Sequence, residues 1–145
     1  MIISTLEELK GLPGLSYLAS PYSRYHAGLD AAYSMACQAS AVLMKRGHRI
    51  FCPIAHSHPI ATFGDIDPLD WEFWAKQDGD MMKNCNGLII LKMEGWEESV
   101  GVTDEIGAFE WMSKPCIYVH PAELGLVEKK RPSIDGMLKN PVMVI

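Results

Sequence analysis

Short apolar runs of strand length alternate with helix-length segments along most of the chain, a pattern that predicts an α/β domain with a mainly parallel sheet. "LSYLAS" at 15–20 reads as a first strand, stopped by Pro21. Over 27–46, "AGLDAAYSMACQASAVLMKR", the apolar residues Ala32, Met35, Ala36, Ala39, Val42 and Leu43 recur at helical spacing, and Gly47 suits a C-cap. "HRIFCPI" predicts a second strand, and "AHSHPIATFGDIDPLD" a loop of special composition. Asp70 is the expected N-cap of a helix running through "WEFWAKQDGDMMKNC". "GLIILKM" reads as the third and most buried strand, "VTDEIGAFEWMS" as the third long helix and "PCIYVH" as the fourth strand. Residues 121–141 hold no strong pattern, and the closing "PVMVI" suits an edge strand or a tail docked on a neighbour.

Composition narrows the classes of partner. The chain has 145 residues, 48% of them hydrophobic, enough for one domain over 1–145 with a proper core. A net charge of -5, with cations scattered except at "EKKRP" (128–132), leaves no basic stripe for a nucleic-acid duplex. Absence of any 18-residue apolar run argues against a membrane span, and the N-terminus "MIISTLEELKGLPG" has acids where a signal peptide needs a basic flank. A cytoplasmic protein is expected. Cys37, Cys52, Cys85 and Cys116 form no CxxC pair and read as reduced core thiols.

Ligands of open α/β sheets bind at the carboxyl ends of the strands. Four loops should meet there: "SPYSRYH", "PIAHSHPI", "EGWEES" and "HPAE". The first supplies Ser20, Tyr22, Ser23, Arg24 and Tyr25 before a helix, a natural anion pocket unless Ser23 simply caps that helix. Neither GxGxxG nor GK[ST] spacing is present. His56 and His58, with Cys52 upstream, invite a metal reading, but no third and fourth ligand follow at metal spacing. One of the histidines lining the pocket, or both shaping the loop, is the simpler expectation. Trp71, Phe73 and Trp74 would stack on a planar base or pack on the sheet. Asp78 and Asp80 flank Gly79 in mid-helix, where aspartate is a poor helix former, so they mark either a functional position or a solvated face.

"GWEESVGVTDEIGAFEW" (95–111) puts Glu105 close to the start of a helix. An acid there either complements the helix dipole or acts as a nucleophile. A carboxylate attacking an anomeric carbon needs a second carboxyl, roughly 5 Å away, to protonate the leaving group, and Asp78 is the candidate.

"YLASPYS", "QDGDMMKNCNGLIIL" and "SVGVTDEIGAF", in that order and at these separations, resemble the nucleoside 2-deoxyribosyltransferase superfamily, which includes deoxynucleoside 5′-monophosphate N-glycosidases. The likeness covers about residues 15–120, and "GDIDPLDWEFW" looks like a bacterial and phage branch of it. It implies a Rossmann-like (flavodoxin-like) three-layer sandwich and chemistry that uses no metal or cofactor. It implies Glu105 as nucleophile, Asp78 as general acid/base and Tyr17 as the tyrosine that orients the nucleophile. Ser99 stands where base-exchanging transferases usually carry aspartate and the monophosphate hydrolases carry serine. A hydroxyl can donate to a phosphate that a carboxylate would repel. Ser99 and Gly101, with Ser20, Ser23 or Arg24, therefore favour a nucleotide over a nucleoside. Relatives work as homodimers or larger oligomers such as tetramers, a neighbour often closing the pocket. The chain departs from the pattern at Asn86, where aspartate is common, and in Glu94, Glu97 and Glu98, close to the expected phosphate.

The leading expectation is cleavage or transfer of the N-glycosidic bond of a small-molecule nucleoside or nucleoside 5′-monophosphate. Two alternatives belong to other classes: a non-catalytic nucleotide-binding module, and a metal hydrolase built on His56 and His58.

Overall fold

The computed structural model describes residues 2–130. Its sheet has four strands, all parallel, in the order β2-β1-β3-β4: β1 Leu15–Ala19, β2 Ile50–Phe51, β3 Cys85–Leu91 and β4 Cys116–Val119. Helices cover both faces, giving a Rossmann-like three-layer sandwich. The order matches the start of the flavodoxin-like 2-1-3-4 arrangement, whose topological switch point, and hence its binding crevice, lies between β1 and β3.

The period-2 alternation of strand side chains sorts the core into two layers. Leu18, Ile89, Leu91, Ile117 and Val119 face one side, against α1 (Leu6–Lys10) and the buried Ala32, Met35, Ala36, Ala39 and Leu43 of α2 (Leu29–Lys45). Tyr17, Ala19, Leu88 and Ile90 face the other, against Met81 and Met82 of α4 (Trp71–Asn84) and Val102, Ile106 and Phe109 of α5 (Val100–Trp111). At Gly87 the backbone of β3 passes so close to α1 that a Cβ would run into Leu9.

Local capping follows the sequence. Beyond Lys45 the chain closes a Schellman turn: His48 N–H donates to Leu43 C=O, Gly47 N–H donates to Met44 C=O, and Gly47 takes φ +98°. Asp70 caps α4 by accepting from Phe73 N–H at 3.3 Å.

The segment after β2 differs from the sequence expectation. The second strand ends at Phe51, and the expected loop is largely a helix, α3 (Pro53–Gly64). Pro53 stands at the first helical position, where its missing N–H costs nothing, and Pro53, Ile54 and Ala61 form the buried side. Asp65 ends the helix in the left-handed region, φ 53°. His56 and His58 are therefore two residues apart on a helix, not a strand, and their side chains diverge by about 200°. That divergence argues against the two imidazoles meeting on one metal ion. Asn86 has a structural role at the opposite end of β3 from the crevice: its amide donates to the Pro13 carbonyl, a bond aspartate could not make. "PVMVI" lies outside the described residues.

Candidate active site

A cavity of about 290 Å³ opens at the carboxyl ends of β1 and β3, near the lower end of the roughly 300–1,000 Å³ usual for ligand pockets. Three elements bring Tyr17, Asp78 and Glu105 to its wall. Strand alternation turns Tyr17 toward α4 and α5, where its ring sits between Phe51 and Phe109 with centroids 5.6 Å from each. Asp78 projects from the middle of α4, whose Met81 and Met82 pack on the sheet. Glu105 lies in the second turn of α5, because Ser99, accepting from Val102 N–H at 3.3 Å, is the residue that caps this helix. The first turn of α5 holds no acid, and the helix-dipole effect fades beyond the first turn. Dipole complementation therefore does not account for Glu105.

Asp78 and Tyr17 both act on Glu105, and both carboxyls act on Tyr17. Burial raises the pKa of Glu105 to about 8; the Tyr17 hydroxyl acts against the rise, and the charges of Asp78 and Asp104 add to it. Burial likewise raises Asp78 to about 6, opposed by His56. Burial, and then the charges of Glu105 and Asp78, push Tyr17 far above the ordinary phenol value, so its hydroxyl stays protonated. That hydroxyl is buried and makes no hydrogen bond of ordinary geometry among the described residues. Burial thus favours the protonated form of both carboxyls, more strongly at Glu105 than at Asp78.

Seven further residues expected at the site line the same cavity: Ser20, Tyr22 and Ser23 after β1, Trp71 and Trp74 from α4, and Ser99 and Gly101 at the start of α5. Ser20 Oγ is buried without a hydrogen-bond partner among the described residues, a polar atom left for a ligand. Ser99 uses a lone pair in capping and keeps its O–H to donate. A Cβ on Gly101 would meet no protein atom within 4 Å, so the glycine leaves open space to an occupant. Trp74 donates its indole N–H to the Asp67 carbonyl at 3.0 Å, which fixes its ring, whereas Trp71 is 62% exposed at the mouth.

Arg24 lies next door, in a second cavity that shares Tyr22, Ser23 and Ser99 with the first and is rimmed by Glu94 and Glu98. Glu97 lines a different depression. His56 and His58 do not line the main cavity. His56 packs on Phe51 and acts on Asp78 through its charge; His58 bonds to Tyr22 and Asp30. Asp80 is exposed and also lies off the wall. Burial raises the Cys52 thiol to about 11, and it forms no ligand cluster with the two histidines.

Sequence reasoning missed Ile54 and Ser57, which reach the cavity because α3 is helical, and Asp104, Leu69 and Met82. The signal for the first two was Pro53 as a helix start, with Ile54, Ser57 and Ala61 at helical spacing.

No curated protein matches this chain. A family model does: the domain of unknown function DUF1937 matches residues 14–134, a span that contains every residue of the cavity wall. The chain belongs to the DUF1937 family.

Proposed function

We propose that the protein cleaves, or transfers, the N-glycosidic bond of a (deoxy)nucleoside 5′-monophosphate or nucleoside through a covalent glycosyl ester on Glu105. The observation that carries this reading is the meeting of two carboxyls of raised pKa with a buried phenol in one small pocket beside two tryptophans. A Glu105 oxygen attacks C1′, the C1′–N bond breaks, and the departing base takes the proton of Asp78. Water, or a second base, then attacks C1′ and gives its proton to Asp78, while the ester C1′–O bond breaks and Glu105 leaves as carboxylate.

The first step requires one proton on the carboxyl pair, on Asp78; the second requires Asp78 ionised and returns that proton to it. In the empty pocket Glu105 holds the proton, having the higher pKa. A ring nitrogen placed against Asp78 draws the proton there, and Tyr17, donating to Glu105, stabilises the carboxylate thus uncovered. Trp71 and Trp74 offer ring faces on which the base stacks, and Ser99, Ser20 and the open space at Gly101 receive the 5′ end. Arg24 in the adjoining cavity favours a phosphate there and offsets Glu94 and Glu98.

The test is chromatography for free base after incubation with a panel of nucleosides and their 5′-monophosphates. Base from monophosphates alone is expected; exchange on plain nucleosides would retain Glu105 and discard the phosphate. A ligand bound tightly but never cleaved would favour the binding module. The protein acts in the cytoplasm, in keeping with four free cysteines, and as a homodimer or homotetramer. Exposed Phe63, Leu69, Trp71 and Val100 support the oligomer.

A further inference from the structure

A second constellation touches the pocket and takes no part in the carboxyl chemistry. Tyr22 in the loop after β1, His58 in α3 and Asp30 in the first turn of α2 form a continuous chain. Tyr22 Oη lies 2.6 Å from His58 Nδ1, and His58 Nε2 lies 3.0 Å from Asp30 Oδ1. The imidazole stacks on Tyr33, centroids 4.2 Å apart and planes 19° apart, and meets the Tyr22 ring edge-on. With only 12% of its side chain exposed, His58 is held in both position and plane. The loop after β1, α2 and α3 are thus tied together behind one wall residue of the cavity.

The proton positions follow from the inventory of donors. An ionised Asp30 only accepts, so Nε2 carries the hydrogen. In a neutral ring Nδ1 then has a lone pair, and the bond to Tyr22 forms only if the phenol donates its proton to it. Tyr22 has one O–H and spends it on His58. Its hydroxyl is left with lone pairs only, so a ligand group in the cavity that bonds to this oxygen must be a donor. An oxyanion of a phosphate has no proton to give; a sugar hydroxyl does.

We propose that Tyr22, its hydroxyl oriented by His58 and Asp30, is a specificity-determining acceptor that reads a hydroxyl of the ligand's sugar. The sugar rests on the glycosidic reading given above; the orientation of Tyr22 does not. His58 and Asp30 are positioning residues that act through Tyr22. In this assignment Ser99, as donor, and Tyr22, as acceptor, sort the two ends of one sugar, the 5′ substituent and a ring hydroxyl.

The test has two arms. Long-range proton–nitrogen spectra of the labelled protein at about pH 8, above the ordinary imidazole pKa, identify the tautomer of the ring whose signals vanish in His58→Gln. Protonated Nε2 with Nδ1 as acceptor is expected, and Asp30→Ala should let the other tautomer appear. Protonated Nδ1 in the intact protein would overturn the assignment. The second arm measures affinity in a Glu105→Gln background, which prevents turnover, for a nucleoside 5′-monophosphate in its ribo, 2′-deoxy and 2′,3′-dideoxy forms. Removing the hydroxyl that Tyr22 reads should weaken binding about tenfold where Tyr22 is present and less than about threefold in Tyr22→Phe. Equal losses in both would overturn the role of Tyr22 and leave the nucleotide reading standing. No binding of any form where Tyr22 is present would overturn the nucleotide reading, and the sugar hydroxyl with it, while the tautomer would still report the relay.

Discussion

Glu105 and Asp78 are acids that burial holds partly protonated near neutrality, at about 8 and about 6. Because the glycosylation step needs one proton on the pair, kcat/KM should follow a bell with limbs near pH 6 and pH 8. Tyr17→Phe removes the hydroxyl that pulls Glu105 down, so the alkaline limb should move to higher pH; a limb that stays put would deny contact between them. Stability carries the same signature. Unfolded Glu105 ionises near 4.5, the folded residue near 8, so the native state loses ground as pH rises through that window and regains none above it. Glu105→Gln abolishes this loss. It should melt several degrees above the wild type at pH 9 and close to it at pH 4, as read by calorimetry at the two pH values. Asp78→Asn should slow release of poor leaving groups most, and an equal slowing for all bases would count against its role as acid.

Two residues outside the chemistry hold the elements that present it. Asp70 caps α4, and Asp70→Ala should cost about 1 kcal/mol, roughly 4 °C in Tm. Gly87 lets α1 lie on β3, and Gly87→Ala should cost about 1–3 kcal/mol through the clash with Leu9; denaturant unfolding measures both. Elements whose pattern is local and strong were legible in the sequence: β1, α2 with its Gly47 turn, α4 from Asp70, and β3 lie within about two residues of where periodicity and caps put them. α3 was not legible, because two prolines, two histidines and a C-terminal glycine read as loop chemistry. Its helicity rests on burying Pro53, Ile54 and Ala61 against neighbours distant in sequence. Two wall residues, Ile54 and Ser57, were lost with it. The pairing of Asp78 with Glu105 was legible from the second carboxyl that a nucleophilic glutamate needs, whereas Tyr17 joined them only through resemblance, since no spacing along the chain brings a strand and two separate helices to one point.

At the scale of the molecule, parallel strand order places the crevice between β1 and β3, and that is where the cavity lies. Among the described residues no helix is long and apolar enough to cross a membrane. The proposed oligomer would cover exposed apolar surface such as Phe63 and Trp71; light scattering should then give a dimer or tetramer, and Phe63→Asp should shift it toward monomer. The measurement that tests the account most directly is the rate of base release by Glu105→Gln beside the wild type, on whichever nucleoside or nucleotide the wild type cleaves. Loss of roughly a thousandfold or more, with the fold intact by circular dichroism, is predicted. Release at an undiminished rate would contradict a glycosyl ester on Glu105.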